Sequence, residues 1–452
     1  MFFLSPHRYR WIILLVASYY FYMSWNVNYV FLIFFTTLVS YVTAILIDRE
    51  ERHFIRKIYL IISLVASLGV LFFYKYFNFF GSSINDMLEY SGSNLRVPYL
   101  SILLPVGISF YTFQTLSYTI DVYKGEKDIE KHFGIYALYV SFFPQLVAGP
   151  IERSLRLLPQ FHSKHFLNLN NFIEGTKWII IGYFMKLVVA DRLSLYVNAV
   201  YNNPEHHNGT TFVLATVLFA FQIYGDFAGY SGIAIGVAKL MGFDLMVNFN
   251  RPYFANSIGD FWKRWHISLS TWFRDYFYIP LGGNRVSKHR WYINLFLTFV
   301  VSGLWHGANW TFIIWGALHG FYLILENVFN LSLKKKHIIG KFRYLMRAFI
   351  VFVLVNFAWI FFRANNVSDA FFIVKNIFLN LGEPFIDQKT LFYGFIGIVL
   401  LLINDYIAEK NPETFIFGNK LNFISIVYFT MMTIAIFYLG VFSGGQFIYF
   451  QF

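Results

Sequence analysis

Apolar segments long enough to cross a lipid bilayer recur along almost the whole chain. A membrane-spanning helix needs about 20 mostly apolar residues, and its backbone must satisfy its own hydrogen bonds. The pattern therefore predicts an all-α fold, a polytopic transmembrane bundle of about 11–13 spans. The segments 134–148 and 370–381 are short, and we expect them to be re-entrant or only partly inserted. The thirteen segments are 11–25, 28–47, 57–77, 100–120, 134–148, 172–190, 211–240, 291–305, 309–330, 345–363, 370–381, 391–408 and 421–443.

Composition and charge exclude several classes of protein. Of the 452 residues, 57% are hydrophobic and 13% are charged, too few charges for an ordinary soluble domain. The net charge of +12 comes from basic residues between apolar segments; cytoplasmic loops carry such residues, so we expect no nucleic-acid partner. No linker interrupts the pattern, which predicts a single integral membrane domain over residues 1–452. The absence of cysteine excludes disulfides, thiolate metal sites and an acyl-cysteine intermediate.

The distribution of basic residues predicts an orientation. The segments 48–57, 251–290 and 334–347 hold 17 of the 36 Lys and Arg residues, and by the positive-inside rule they face the cytoplasm. The segment 202–210 has no Lys or Arg and is expected outside. The segment 251–290 also mixes Trp and Tyr with its charges, a pattern typical of helices that lie against membrane lipids at the inner interface.

Two histidines are candidate catalytic residues. His306 lies in the predicted turn 303–310, GLWHGANW, between two apolar segments that leave and return to the cytoplasmic side. Gly303 and Gly307 are expected to let the backbone turn there and to permit a close approach. The fifteen residues between Arg290 and His306 would cover about 22 Å as a helix, less than a full ~30 Å core, so His306 is expected deep in the membrane. His266 enters from the cytoplasmic segment 251–290, which would place one histidine on each side of a chamber.

Each of these residues also has a structural interpretation. A histidine among aromatic residues often serves packing, and His319 is expected to pack or to form an interhelical hydrogen bond. Asp226 stands in an apolar run, where a charge is costly and frequently functional, but an interhelical hydrogen bond explains it equally well. No HExxH motif predicts zinc, and no Gly-x-Ser-x-Gly elbow predicts a serine hydrolase. We therefore expect no metal site.

Residues 261–285 read FWKRWHISLSTWFRDYFYIPLGGNR. This string resembles the signature of the membrane-bound O-acyltransferases, in particular the alginate and peptidoglycan O-acetyltransferase branch. Residues 303–307, GLWHG, resemble the motif of that family that carries its catalytic histidine. The segments 105–114, 143–153 and 225–232 also match in order, so the resemblance covers the core of about residues 100–365.

The resemblance implies a many-helix enzyme with a funnel through a thin region of a bacterial plasma membrane. It implies that His306 is catalytic and that His266 is a second site residue. It also implies that Arg153 and Asp191 match positions that matter for activity. Members of this branch usually work with a periplasmic or extracellular acetyltransferase partner, so such a partner is expected.

The implied chemistry moves an acetyl group from a thioester to a hydroxyl of an extracytoplasmic polysaccharide. Acetyl-CoA is the expected donor; it is a substrate, and no bound cofactor is expected. Neutral imidazole, with an ordinary pKa near 6.5, can take the hydroxyl proton. Trp305, Asn309 or backbone N–H groups at the turn are candidate donors to the oxyanion. Direct transfer and an acyl-histidine intermediate both remain open.

The cationic side chains of the segment 251–290 are the candidate donor site. Lys263, Arg264 and Arg274 could hold the phosphates of CoA, and anionic lipid headgroups would explain the same charges.

Two alternatives remain. One is D-alanyl transfer to teichoic acid, which needs an acyl-carrier protein at the cytoplasmic side. The other is transport of a polysaccharide or lipid; the chain lacks the matching halves often seen in transporters.

Overall fold

The computed structural model describes residues 2–147, 149–329, 340–410, 423–443 and 447–448. Over these residues the chain is helical and contains no strand. The basic cluster Lys334, Lys335 and Lys336, on which the predicted orientation partly depends, lies outside the described residues.

The chain forms two compact units. Unit 1 comprises Met1–Leu169 and Ala238–Met246, and unit 2 comprises Asn170–Val237 and Val247–Phe452. The expectation of a single domain stays a prediction. The helices of unit 1 are α1 (His7–Met23), α2 (Tyr29–Arg49), α3 (His53–Leu71), α4 (Phe77–Tyr90), α5 (Ile108–Lys124), α6 (Phe133–Ser141), α7 (Phe143–Leu146) and α8 (Ser154–His162).

Unit 2 carries both candidate histidines. Its longest helix is α11, whose last residues return to unit 1. The helices are α9 (Leu169–Tyr183), α10 (Asp191–Tyr201), α11 (Gly209–Leu240), α12 (Ile258–Arg264), α13 (Ile267–Phe273), α14 (Lys288–His306), α15 (Trp310–Val328), α16 (Lys341–Arg363), α17 (Val367–Leu379), α18 (Gln388–Lys410) and α19 (Phe423–Leu439).

Every predicted span coincides at least in part with a helix, which confirms the all-α transmembrane class. Within the described part of the chain, six helices are long and apolar enough to cross a membrane. The total of 11–13 crossings stays a prediction, since the remaining segments are shorter or more polar. These six helices are Tyr29–Arg49, His53–Tyr90 (α3 and α4, joined by the π-helical segment Phe72–Tyr76), Gly209–Leu240, Trp310–Val328, Phe342–Arg363 and Gln388–Lys410.

Two predicted segments are interrupted. Residues 100–107 are not helical, so the predicted start of the 100–120 segment was wrong. Pro105 lacks an N–H, and Gly107 (φ 74°) adopts a left-handed conformation before α5 begins. The short segment 134–148 breaks into α6 and α7 at Phe142, whose ψ of 108° is not helical.

The hairpin of α14 and α15 corrects the predicted role of Gly303. Gly303 lies inside α14, and the chain turns only at Gly307-Ala308-Asn309. A Cβ atom on Gly303 would overlap the carbonyl oxygen of Phe312 on α15. Gly303 therefore permits close approach of the two helices, which fixes His306 at the end of α14.

Candidate active site

His266 lies between α12 and α13 in a strained backbone conformation. Its φ of 44° and ψ of 56° are left-handed, which is uncommon for a residue with a side chain. Such strain costs about 1–3 kcal/mol and persists only where neighbouring contacts enforce it. Asn248 provides these contacts: its carbonyl oxygen accepts a hydrogen bond from Ile267 N (2.9 Å), and its Oδ1 accepts one from Ser268 Oγ (2.9 Å).

The ring of His266 is fully buried among aromatic side chains. The ring centroids of Phe227 and Trp305 lie 4.5 and 6.0 Å away. Neither ring nitrogen makes a hydrogen bond within the part of the chain that the structure describes. Burial lowers the pKa of His266 to about 3, so the ring is neutral at physiological pH.

His306 is the last residue of α14, and its ring is 2% exposed. Its ring centroid lies 4.9 Å from that of Trp315 on α15 and 5.5 Å from that of Phe362 on α16. The ring centroids of His266 and His306 are 6.1 Å apart. The structure thus brings together the two histidines singled out in the sequence.

Of the two predicted side-chain oxyanion donors, Trp305 lies beside this pair and Asn309 lies in the turn after His306. Trp305 is buried, with its ring centroid 5.0 Å from that of His306. The Oδ1 atom of Asn309 accepts a hydrogen bond from Thr311 N (3.0 Å), which caps α15, and its Nδ2 donates to the carbonyl oxygen of Asn365 (3.0 Å). Asn309 therefore holds the turn that follows His306; its role as a donor stays a prediction.

His319 has the expected interhelical bond. Its Nδ1 accepts a hydrogen bond from Trp262 Nε1 on α12, at 3.3 Å. The ring is fully buried between α12 and α15. This hydrogen bond gives His319 a structural role.

Asp191 and Asp226 share one buried cation that the sequence analysis missed. Lys186 Nζ lies 2.7 Å from an oxygen of each carboxylate. The other oxygen of Asp226 accepts a hydrogen bond from Ile448 N (2.7 Å). Lys186 lies in a π-helical segment, Phe184–Ala190, and its position inside the apolar segment 172–190 was the available signal. The network gives both aspartates a structural role, and a catalytic role stays a prediction.

The three predicted donor-site cations differ in their surroundings. Arg264 is buried, and its guanidinium bonds both oxygens of Glu409 (3.1 and 3.2 Å) and one oxygen of Asp260 (3.1 Å). These bonds occupy it, so the structure does not support Arg264 as a phosphate ligand. Lys263 and Arg274 are exposed, and Arg274 makes an ion pair at the surface, from its Nε to Oδ1 of the neighbouring Asp275 (2.7 Å).

A cavity of about 510 Å³ connects the exposed cations with the surroundings of the histidine pair. Lys263 and Arg274 line it, together with Ile267, the residue after His266. Ser302, one turn before His306 on α14, also lines it. The cavity reaches these neighbours, whereas the two histidines themselves are buried and do not line it.

Arg153 belongs to unit 1, where it directly precedes α8. The neighbouring Glu152 is fully buried and accepts a hydrogen bond from Met246 N. Burial raises the pKa of Glu152 to about 7. The part played by Arg153 in activity stays a prediction.

Comparison with known proteins connects this arrangement with acyl transfer. The model of the membrane-bound O-acyltransferase family (MBOAT) matches residues 132–367, a range that contains both histidines. The chain is 40% identical to the probable alginate O-acetylase AlgI of Pseudomonas aeruginosa, over 84% of this chain and 71% of that protein. It is 33% identical to the peptidoglycan O-acetyltransferase of Helicobacter pylori, over 97% of this chain and 91% of that protein. The teichoic acid D-alanyltransferase of Bacillus subtilis is 30% identical to it, over 51% of this chain and 60% of that protein.

Proposed function

Because the chain belongs to the membrane-bound O-acyltransferase family, we propose that this enzyme transfers an acetyl group from cytoplasmic acetyl-CoA toward a hydroxyl of a polysaccharide outside the plasma membrane. The O-acetyltransferase relatives match over most of this chain, whereas the D-alanyltransferase relative matches over about half of it. This difference favours acetyl over D-alanyl as the transferred group.

The convergence of His266 and His306, with ring centroids 6.1 Å apart in a buried cluster, is the observation that carries the proposal. His306 acts as the general base. It accepts the proton of the attacking hydroxyl while that oxygen bonds to the thioester carbonyl carbon. The carbon–sulfur bond then breaks, and the CoA thiolate takes the proton from the imidazolium. Buried and neutral, His266 acts beside it as a positioning residue.

The cavity beside α12 and α13 is the proposed donor site. Exposed Lys263 and Arg274 lie on its wall and can bind the CoA phosphates. The same cavity reaches Ile267 and Ser302, so a bound thioester would extend toward the histidine pair. Arg264 supports this wall indirectly, through its ion pairs with Asp260 and Glu409.

The acceptor side is proposed by similarity alone. Relatives named for alginate and for peptidoglycan acetylation suggest a glycan hydroxyl as the final acceptor. A periplasmic or surface acetyltransferase partner that receives the acetyl group and completes the transfer fits this proposal.

The test is to supply labelled acetyl-CoA to membranes that contain the enzyme, its neighbouring gene products and the cell's own glycans. Label that is released from the glycan by mild base identifies an O-acetyl ester. Incorporation of labelled D-alanine, dependent on an acyl-carrier protein, with none from acetyl-CoA would overturn the acetyl assignment in favour of D-alanyl transfer.

A further inference from the structure

A second cavity, of about 490 Å³, lies between α15 and α16 where α12 begins. Its wall is mostly apolar and includes Leu325, Ile350, Val351 and Leu354. Arg343 and Arg347 line one end, one helical turn apart on α16. We call this cavity the α15–α16 groove.

The groove is cationic at one end and apolar at the other, which suits an amphiphilic ligand. Along α16 the lining changes from Arg343 and Arg347 to Ile350 and Leu354 over eleven residues, or roughly 16 Å. One ligand that suits both ends has an anionic headgroup and an acyl chain. Arginine binds phosphate with paired, charge-assisted hydrogen bonds, and basic pockets between membrane helices bind anionic lipid headgroups.

The surface around the groove is apolar. Phe329, Met346 and Ile350 line the groove and are 65%, 50% and 50% exposed. Both α15 and α16 are among the helices long and apolar enough to cross a membrane. A soluble ligand would have to approach across this apolar surface, whereas a membrane lipid already occupies such surroundings.

The carboxylate of Glu326 also lines the groove, so its charge must be included. Its Oε2 accepts hydrogen bonds from the backbone N–H groups of Ile258 (2.6 Å) and Gly259 (3.2 Å) at the start of α12. Two guanidinium groups and one such carboxylate leave the lining with a net charge of +1 (2 − 1). That sum favours an anionic headgroup over a zwitterionic one.

From this polarity and charge, we propose that the α15–α16 groove binds an anionic glycerophospholipid, with its phosphate at Arg343 and Arg347 and an acyl chain along Ile350 and Leu354. The predicted orientation places the start of α16 on the cytoplasmic side, so the lipid would come from the inner leaflet. Because the groove is also lined by Asn256, Ser257 and Ile258, the lipid would contact the start of α12, the helix that leads to His266.

The experiment measures lipid retained by the purified full-length protein, by native mass spectrometry. The probes are phosphatidylglycerol and phosphatidylcholine with identical dioleoyl chains. We expect the double variant Arg343→Gln/Arg347→Gln to retain at least five-fold less phosphatidylglycerol. Leu354→Trp, which fills the apolar end and keeps both charges, is expected to do the same. The control Arg285→Gln/Lys288→Gln removes two exposed cations that do not line the groove and should retain wild-type amounts.

Each contrary result overturns the proposal. Equal retention of the two lipids by the wild-type protein would show that the headgroup is not selected. Unchanged retention in the arginine variant, or in Leu354→Trp if the arginine variant does not fold, would place the lipid elsewhere. Displacement of the lipid by acetyl-CoA would assign the groove to the donor instead. The measurement does not depend on acyl transfer, so it is independent of the proposed function.

Discussion

The rings of His266 and His306 lie 6.1 Å apart, centroid to centroid, although His266 lies between α12 and α13 and His306 ends α14, and each is held by its own contacts. Asn248 fixes the strained turn that carries His266, and the close packing of α14 on α15 at Gly303 fixes His306. The pair therefore depends on two independent parts of unit 2. Changes in either part are expected to affect activity without touching the other histidine.

Lys263 and Arg274 are proposed to bind the phosphates of the donor, whereas Arg264 is proposed to stabilise the fold. Lys263→Gln/Arg274→Gln should raise KM for acetyl-CoA at least tenfold, because the loss of even one hydrogen bond to a charged group costs about 1.5–3 kcal/mol, and about 1.4 kcal/mol is a tenfold change in affinity. Initial rates of transfer in membranes measure this change. The matched variant Arg264→Gln should instead lower the yield of folded protein, since it leaves Glu409 and Asp260 without this partner. A rise in KM from Arg264→Gln alone, at normal yield, would reverse the assignment.

The buried cluster of Lys186, Asp191 and Asp226 is expected to stabilise the fold. Lys186→Met leaves two buried carboxylates without their cation, which typically costs about 3–5 kcal/mol. We expect a lower unfolding temperature in detergent, partly restored in Lys186→Met/Asp226→Asn. If Lys186→Met unfolds like the wild type yet loses transfer, the cluster serves catalysis, as the sequence first suggested for Asp226.

Burial of His266 predicts a dependence of stability on pH. Its pKa is lowered to about 3 in the folded protein, whereas an unfolded histidine titrates near 6.5. The unfolded state therefore binds more protons below pH 6.5, and stability falls as the pH drops from 6.5 toward 3. Asparagine tolerates the left-handed backbone. Between pH 7 and 5 the unfolding temperature of His266→Asn should therefore fall by less than that of the wild type. Identical losses in variant and wild type would contradict the assignment.

The predicted orientation can be tested with single cysteines, since the chain has none of its own. In intact cells a membrane-impermeant maleimide should label His206→Cys and leave Lys336→Cys unlabelled until the membrane is permeabilised. The positive-inside rule is the reason. The opposite labelling would move the donor site and the groove-bound lipid to the other side of the membrane.

Local patterns predicted the helices, because apolar length and helix breakers act over neighbouring residues. Both histidines were also singled out from local motifs, and His306 from its flanking glycines as well. The cation shared by Asp191 and Asp226, and the ion pairs of Arg264 with the distant Glu409, depend on tertiary packing that periodicity does not encode. For the same reason the sequence could not distinguish Arg264 from Lys263 and Arg274 as a ligand for phosphate.

The central claim, that His306 is the general base, is tested most directly by a pair of identical substitutions, His306→Gln and His319→Gln. Both histidines are buried in unit 2, and Gln at 319 can still accept the hydrogen bond from Trp262. The measurement is the rate of labelled acetyl transfer from acetyl-CoA in membranes, divided by the amount of folded enzyme. We expect His306→Gln to lose about 10²–10⁴-fold and His319→Gln to stay near the wild-type rate. A near wild-type rate for His306→Gln, or an equal loss in both variants, would contradict the account.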